Sequence, residues 1–87
     1  MRQRHWLVRF DRDADSDWGA SVPDLPGCVA VGKTLDSTLR RIKIAIAMHV
    51  RGLREDGQRV PAPRRRLVRP GRSARKVEFY AVVRVGA

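Results

Sequence analysis

Apolar and polar positions alternate along several stretches of this chain, and the alternation predicts its strands. Trp6, Val8 and Phe10 interleave with His5, Leu7 and Arg9, the period of two that marks a half-buried strand over residues 5–10. Trp18, Ala20 and Val22 interleave with Gly19 and Ser21 and predict a second strand over 18–22. The polar run from Asp11 to Asp17 between them is turn chemistry, so the two strands form a hairpin. Pro23-Asp-Leu-Pro-Gly27 cannot be regular structure, because neither proline donates to a ladder; Pro26-Gly27 suits the central positions of a type II turn. Residues 28–32 form a short third strand. Val77, Phe79, Ala81, Val83 and Val85 alternate with Glu78, Tyr80, Val82 and Arg84 and predict a last strand over 77–85.

Between residues 35 and 56 the period changes. Leu35, Leu39, Ile42, Ile46, Val50 and Leu53 recur at spacings of three and four, which builds one apolar stripe on a helix. Thr34 is its expected N-cap, Asp36 favours the positive end of the dipole, and Gly57 closes it. Val60-Pro-Ala-Pro63 bars further helix, and residues 64–76 read as a cationic loop. The order β-β-β-α-β defines a single α+β domain over residues 1–87, a mostly antiparallel sheet with one long helix on one face. One helix covers one face only. Leu7, Tyr80 and Val82 are left on the opposite face, and Ile44 and Met48 on the outer side of the helix. These five are the candidate oligomer interface, of a dimer or a tetramer.

Length and charge narrow the classes. A chain of 87 residues is one domain, and no apolar run approaches the ~20 residues of a membrane-spanning helix. The formal net charge is +10, sixteen of the nineteen cations being arginine, and the excess lies in the second half of the chain. Arg64, Arg65, Arg66, Arg69, Arg72, Arg75 and Lys76 fall within thirteen residues and are the candidate contacts to nucleic acid. Such contacts would be led by phosphates, with steep salt dependence, because few aromatic residues are spare for base stacking. One cysteine allows no internal disulfide, and the first residues lack the apolar stretch of a signal peptide, so the expected location is the cytoplasm.

The titratable residues point away from catalysis. A two-metal nuclease requires converging carboxylates, and the helix supplies only Asp36 near its start and Glu55 and Asp56 at its end. Asp11, Asp13, Asp15 and Asp17 alternate faintly like a calcium loop, without the glycine and distal glutamate that such a loop uses. His5, His49 and Cys28 stand far apart in sequence, so neither a metal cluster nor a Cys-His nucleophile is expected, and no cofactor.

Several separated segments together carry a resemblance. Trp18-Gly-Ala-Ser-Val-Pro-Asp-Leu-Pro-Gly-Cys28, Val31-Gly-Lys-Thr34, Arg54-Glu-Asp-Gly57 and Val60-Pro-Ala-Pro63 resemble, in order and spacing, the HicB family of antitoxins over residues 6–63. The resemblance implies a partial, degenerate RNase H-like fold without nuclease function, homo-oligomers, and neutralisation of a HicA-like toxin, a small mRNA-cleaving protein. Prolines and glycines at these positions shape turns, so the motif marks the fold and not a chemical site.

Two departures matter. Ser37 stands where the family often has a glutamate that completes a reciprocal helix cap, which predicts a weaker cap. The chain is also expected to be a short, single-domain member, without the C-terminal DNA-binding module of many relatives. A toxin that binds RNA should present a basic surface, so Asp11, Asp13, Asp15, Asp17 and Asp24 are the candidate toxin contacts, with the arginine-rich half turned away. The alternative is an oligomeric, basic nucleic-acid-binding or regulatory module without a toxin partner.

Overall fold

The computed structural model describes residues 3–62 and 77–86. Its elements are β1 (Gln3–Arg12), β2 (Trp18–Ser21), β3 (Val29–Gly32), α1 (Leu35–Glu55) and β4 (Val77–Gly86). The predicted order holds, with β1 longer than the alternation indicates and β2 and β3 each one residue shorter. The cationic loop expected at 64–76 lies outside the described residues, as do all seven of its candidate nucleic-acid contacts.

All neighbouring strands are antiparallel, in the order β3-β2-β1-β4. Ten consecutive pairs join β1 to β4, from Gln3 opposite Gly86 to Arg12 opposite Val77. The last strand in sequence therefore docks beside the first, and α1 is the crossover that carries the chain there. Trp6, Val8, Phe10, Ala20, Val83 and Val85 are buried against Ile42, Ile46 and Val50 of the helix. Phe79 stacks on Phe10 at 5.2 Å between ring centroids and meets the edge of Trp18 at 6.1 Å.

The helix stripe differs from the sequence pattern at its start. Thr38 is fully buried there, while Leu35 is partly exposed. Burial of the hydroxyl is tolerated because Thr38 Oγ1 donates to the Thr34 carbonyl at 2.7 Å. The weaker cap expected from Ser37 is corrected by the structure. The Ser37 amide donates to Thr34 Oγ1 at 3.0 Å, and the Thr34 amide donates to Ser37 Oγ at 3.2 Å, so serine closes the reciprocal cap. At the far end the Gly57 amide donates to the Arg54 carbonyl and the Gln58 amide to the Leu53 carbonyl, the two bonds of a Schellman closure.

Candidate functional site

The Pro-Asp-Leu-Pro-Gly segment is two consecutive turns. The Leu25 amide donates to the Val22 carbonyl and the Cys28 amide to the Leu25 carbonyl, each at 3.0 Å, while the Val22 amide donates to the Cys28 carbonyl at 3.1 Å. Gly27 takes φ +86°, the left-handed value required at the third position of the predicted type II turn. Leu25 sits where the two turns meet and is 1% exposed, within the core that also holds Val22 and Cys28. Leu25 was absent from the expected core, because a leucine inside a proline-rich loop has no periodic signal. The segment is architecture: two turns that drive a leucine plug under the sheet.

Burial raises the ionisation of the Cys28 thiol above its ordinary range. A raised folded value favours the neutral thiol in the native state. Its contribution to stability is therefore fully present below the unfolded thiol's ionisation and is lost as pH rises through the folded value. Stability of the native chain should fall as alkaline pH rises past the ordinary thiol value, measured by urea titration. The Cys28→Ala variant should show a shallower slope.

The expected acidic face does not form one surface. Asp11 is 7% exposed and lies on the sheet face away from the helix, ion-paired with Arg9. It has little surface to give a toxin, which corrects its place among the exposed contacts. Asp13, Asp15 and Asp17 belong to the β1–β2 turn, where the Asp13 amide donates to Ser16 Oγ at 3.1 Å and Asp15 takes φ +62°. Asp24 lies beyond the opposite end of β2, a strand of four residues and so about 13 Å long. The topology thus separates Asp24 from the hairpin group.

The outer sheet face holds a charged cluster that the alternation does not reveal. Asp11 and Glu78 are direct cross-strand partners, an unfavourable pairing of like charges unless a cation intervenes. Arg9 supplies it, Nε donating to Glu78 Oε1 at 2.6 Å and a terminal nitrogen bonding the Asp11 carboxylate. The hydrogen bond to Glu78, with the Asp11 charge, holds this guanidinium protonated more firmly than usual despite its partial burial. Gly19 on β2 stands opposite Asp11 on β1, and a methyl group there would come within 3.1 Å of Asp11 Oδ1. The glycine of Trp18-Gly-Ala leaves room for the carboxylate.

Apolar side chains are exposed both on this sheet face and on the far side of the helix. Val29, Val31 and Val82 on the sheet, and Ile44 and Met48 on the helix, are each more than half exposed. Tyr80 is half-buried. Leu7, named with them from the alternation, is 1% exposed and has no surface to offer a second copy, which corrects its role. For Val29 and Val31 the sequence carries no signal of exposure, because three residues of alternation do not say which face is covered. His5, Cys28 and His49 converge on no common point: among the described residues no group of three or more His, Cys, Asp and Glu side chains is placed to hold a metal ion. No described helix is long and apolar enough to cross a membrane.

Fold and surface together define a small α+β module whose sequence motifs serve turns and caps. The chain belongs to the HicB-like antitoxins of bacterial toxin-antitoxin systems, whose family model matches residues 6–82. It is similar to the N-terminal domain of the Burkholderia pseudomallei antitoxin HicB, with a TM-score of 0.75 and 26% identity over 95% of this chain and 99% of that one. The full B. pseudomallei HicB aligns with a TM-score of 0.67 and 24% identity, this chain covering 64% of it. A HicA3 and HicB3 toxin-antitoxin complex aligns at 0.57 and 22% identity over 68% of this chain and 67% of that one, a likeness of fold.

Two further proteins are similar to parts of this chain. A Haemophilus phage HP1 protein of 14.9 kDa is 44% identical over 41 residues, 47% of this chain and 31% of its own length. A UPF0150 protein of Thermoplasma acidophilum is 34% identical over 56 residues, 64% of this chain and 81% of its own length. The chain thus spans less than a third of the phage relative.

Proposed function

We propose that this chain neutralises a small HicA-like, mRNA-cleaving toxin by direct contact, in the cytoplasm and without chemistry of its own. The observation that carries this reading is the near-complete two-way overlap with the N-terminal domain of an antitoxin HicB. The complex of HicA3 with HicB3, built on the same fold, supports a toxin as the partner. A degenerate RNase H-like origin accords with the outer face, where Arg9 neutralises the carboxylates of the cross-strand partners Asp11 and Glu78. A guanidinium in that position occupies the lone pairs that a divalent cation would require.

The hairpin turn is the proposed toxin contact. Asp15 and Asp17 are exposed in this turn with Asp13 half-buried beside them, and a toxin that grips RNA presents cations to meet them. Replacing all three by asparagine should slow association with the toxin by about tenfold at low salt, with a smaller effect at high salt, because these charges steer encounter. Stopped-flow mixing measures it, and an unchanged rate removes the hairpin from the interface. Co-expression with a HicA-like toxin tests the function itself: growth should be restored and the two proteins should co-purify. Continued growth arrest without a complex would leave the basic nucleic-acid-binding module as the better reading. The exposed Ile44, Met48 and Val82 further support self-association of the antitoxin.

A further inference from the structure

β4 occupies one edge of the sheet, ten residues long, and among the described residues no strand pairs with its far side. Long edge strands in soluble proteins are ordinarily guarded by a central charge, a proline or a bulge. β4 has none of these at its centre, which reads Phe79-Tyr-Ala-Val-Val83. Its two charged residues, Glu78 and Arg84, flank this apolar centre, three positions to either side of Ala81.

We propose that β4 pairs antiparallel with β4 of a second copy about a twofold axis through Ala81, joining two sheets into one of eight strands. A twofold axis perpendicular to the sheet keeps each residue on its own face, so the register can shift only by moving the axis along the strand. With the axis at Ala81, Glu78 stands opposite Arg84 of the second copy, and Arg84 opposite its Glu78. On the helix side Phe79 meets Val83, and on the outer side Tyr80 meets Val82. An axis at Tyr80 sets Glu78 against Val82; an axis at Val82 sets it against Gly86 and leaves Arg84 against Tyr80. The Ala81 axis is the one of the three that pairs opposite charges, and it does so twice.

Within one protomer both charged side chains of β4 reach toward β1, so the pairing would turn Arg84 outward across the axis. The Arg84 guanidinium is exposed, donates to His5 Nε2 at 3.1 Å, and makes no ion pair among the described residues. Arg9 holds Glu78 from the β1 side and leaves 11% of the Glu78 side chain exposed, so a second cation from across the axis would meet that remaining edge and extend the alternation of charge over the outer face. Exposed Met48 lines a groove of about 380 Å³ beside Gly86, giving apolar surface at the end of the same strand. The pairing rests on the proposed self-association and specifies its surface and register.

Sedimentation of the full chain tests the pairing. The native protein should sediment as a dimer, and Arg84→Glu, which turns two attractive pairs into two repulsive ones, should weaken the dimer by about tenfold or more. Circular dichroism should show that variant still folded, since Arg84 is exposed. Independently, Val82→Cys in a Cys28→Ala background places the two thiols about 8 Å apart, within reach of a short bismaleimide. Val31→Cys on the opposite edge should not cross-link. A dimer indifferent to Arg84→Glu, with no link through position 82, overturns the β4 pairing and leaves self-association through another surface. A monomer at high micromolar concentration overturns both, while co-purification with the toxin reads the antitoxin function separately.

Discussion

Trp6→Ala should leave the chain largely unfolded at 37 °C. The side chain is fully buried in β1, opposite Val83 and within the cluster that includes the helix stripe. Truncating a buried tryptophan costs about 3–5 kcal/mol through lost burial and the cavity left behind. A domain of this length has only about 4–13 kcal/mol of net stability to lose. At about 4–8 °C per kcal/mol the midpoint should fall on the order of 20 °C, read by thermal melting in far-ultraviolet circular dichroism. Trp6→Phe sharpens the test. Among the described residues the indole Nε1–H is buried without a hydrogen-bond partner, so a phenyl ring removes an unsatisfied donor while keeping most of the volume. It should recover most of the loss; a Phe variant as unstable as Ala would show that the indole nitrogen matters.

Gly32→Ala should cost about 2–4 kcal/mol, from overpacking at the corner joining β3 to α1 and from damage to the helix cap. A methyl group there would lie 2.6 Å from both Ser37 Oγ and Thr38 Oγ1 and 2.9 Å from the Thr38 amide nitrogen. Those atoms are not free to retreat. Ser37 Oγ receives the Thr34 amide in the reciprocal cap, and Thr38 Oγ1 donates to the Thr34 carbonyl. Urea titration of the variant should therefore show a lower midpoint. Adding Ser37→Ala to relieve one clash should recover less than half of the loss, because the Thr38 contacts remain. Full recovery would locate all the strain at Ser37.

The helix, the four strands and their order were legible because each depends on local periodicity, and a period of two or of three to four survives without knowledge of neighbours. Gly27 and Gly57 were legible for a similar reason, since a left-handed turn leaves its mark in one residue. Leu25 was not, because its burial is created by two turns that fold the segment under the sheet. Leu7 and Asp11 were misplaced on the accessible surface for the same kind of reason. Alternation assigns a residue to a face and says nothing about what neighbouring side chains do to cover it.

The acidic patch shows the limit most clearly. Five aspartates within fourteen residues look like one surface in the sequence. In the fold, Asp11 turns into an ion pair with Arg9, and β2 carries Asp24 away from the hairpin tip. Ser37 is the converse case, a residue whose type departs from the usual glutamate and whose hydroxyl still reaches the Thr34 amide.

By itself the sequence determined the elements, their boundaries to within about two residues, the turn and cap positions, and the family. Those properties are written in side chains close together along the chain. Only the tertiary structure decided that β4 lies beside β1, that Arg9 bridges Asp11 and Glu78, and which apolar residues remain exposed. Arg9 and Glu78 are 69 positions apart, and no local pattern reports a contact made by closing so long a loop.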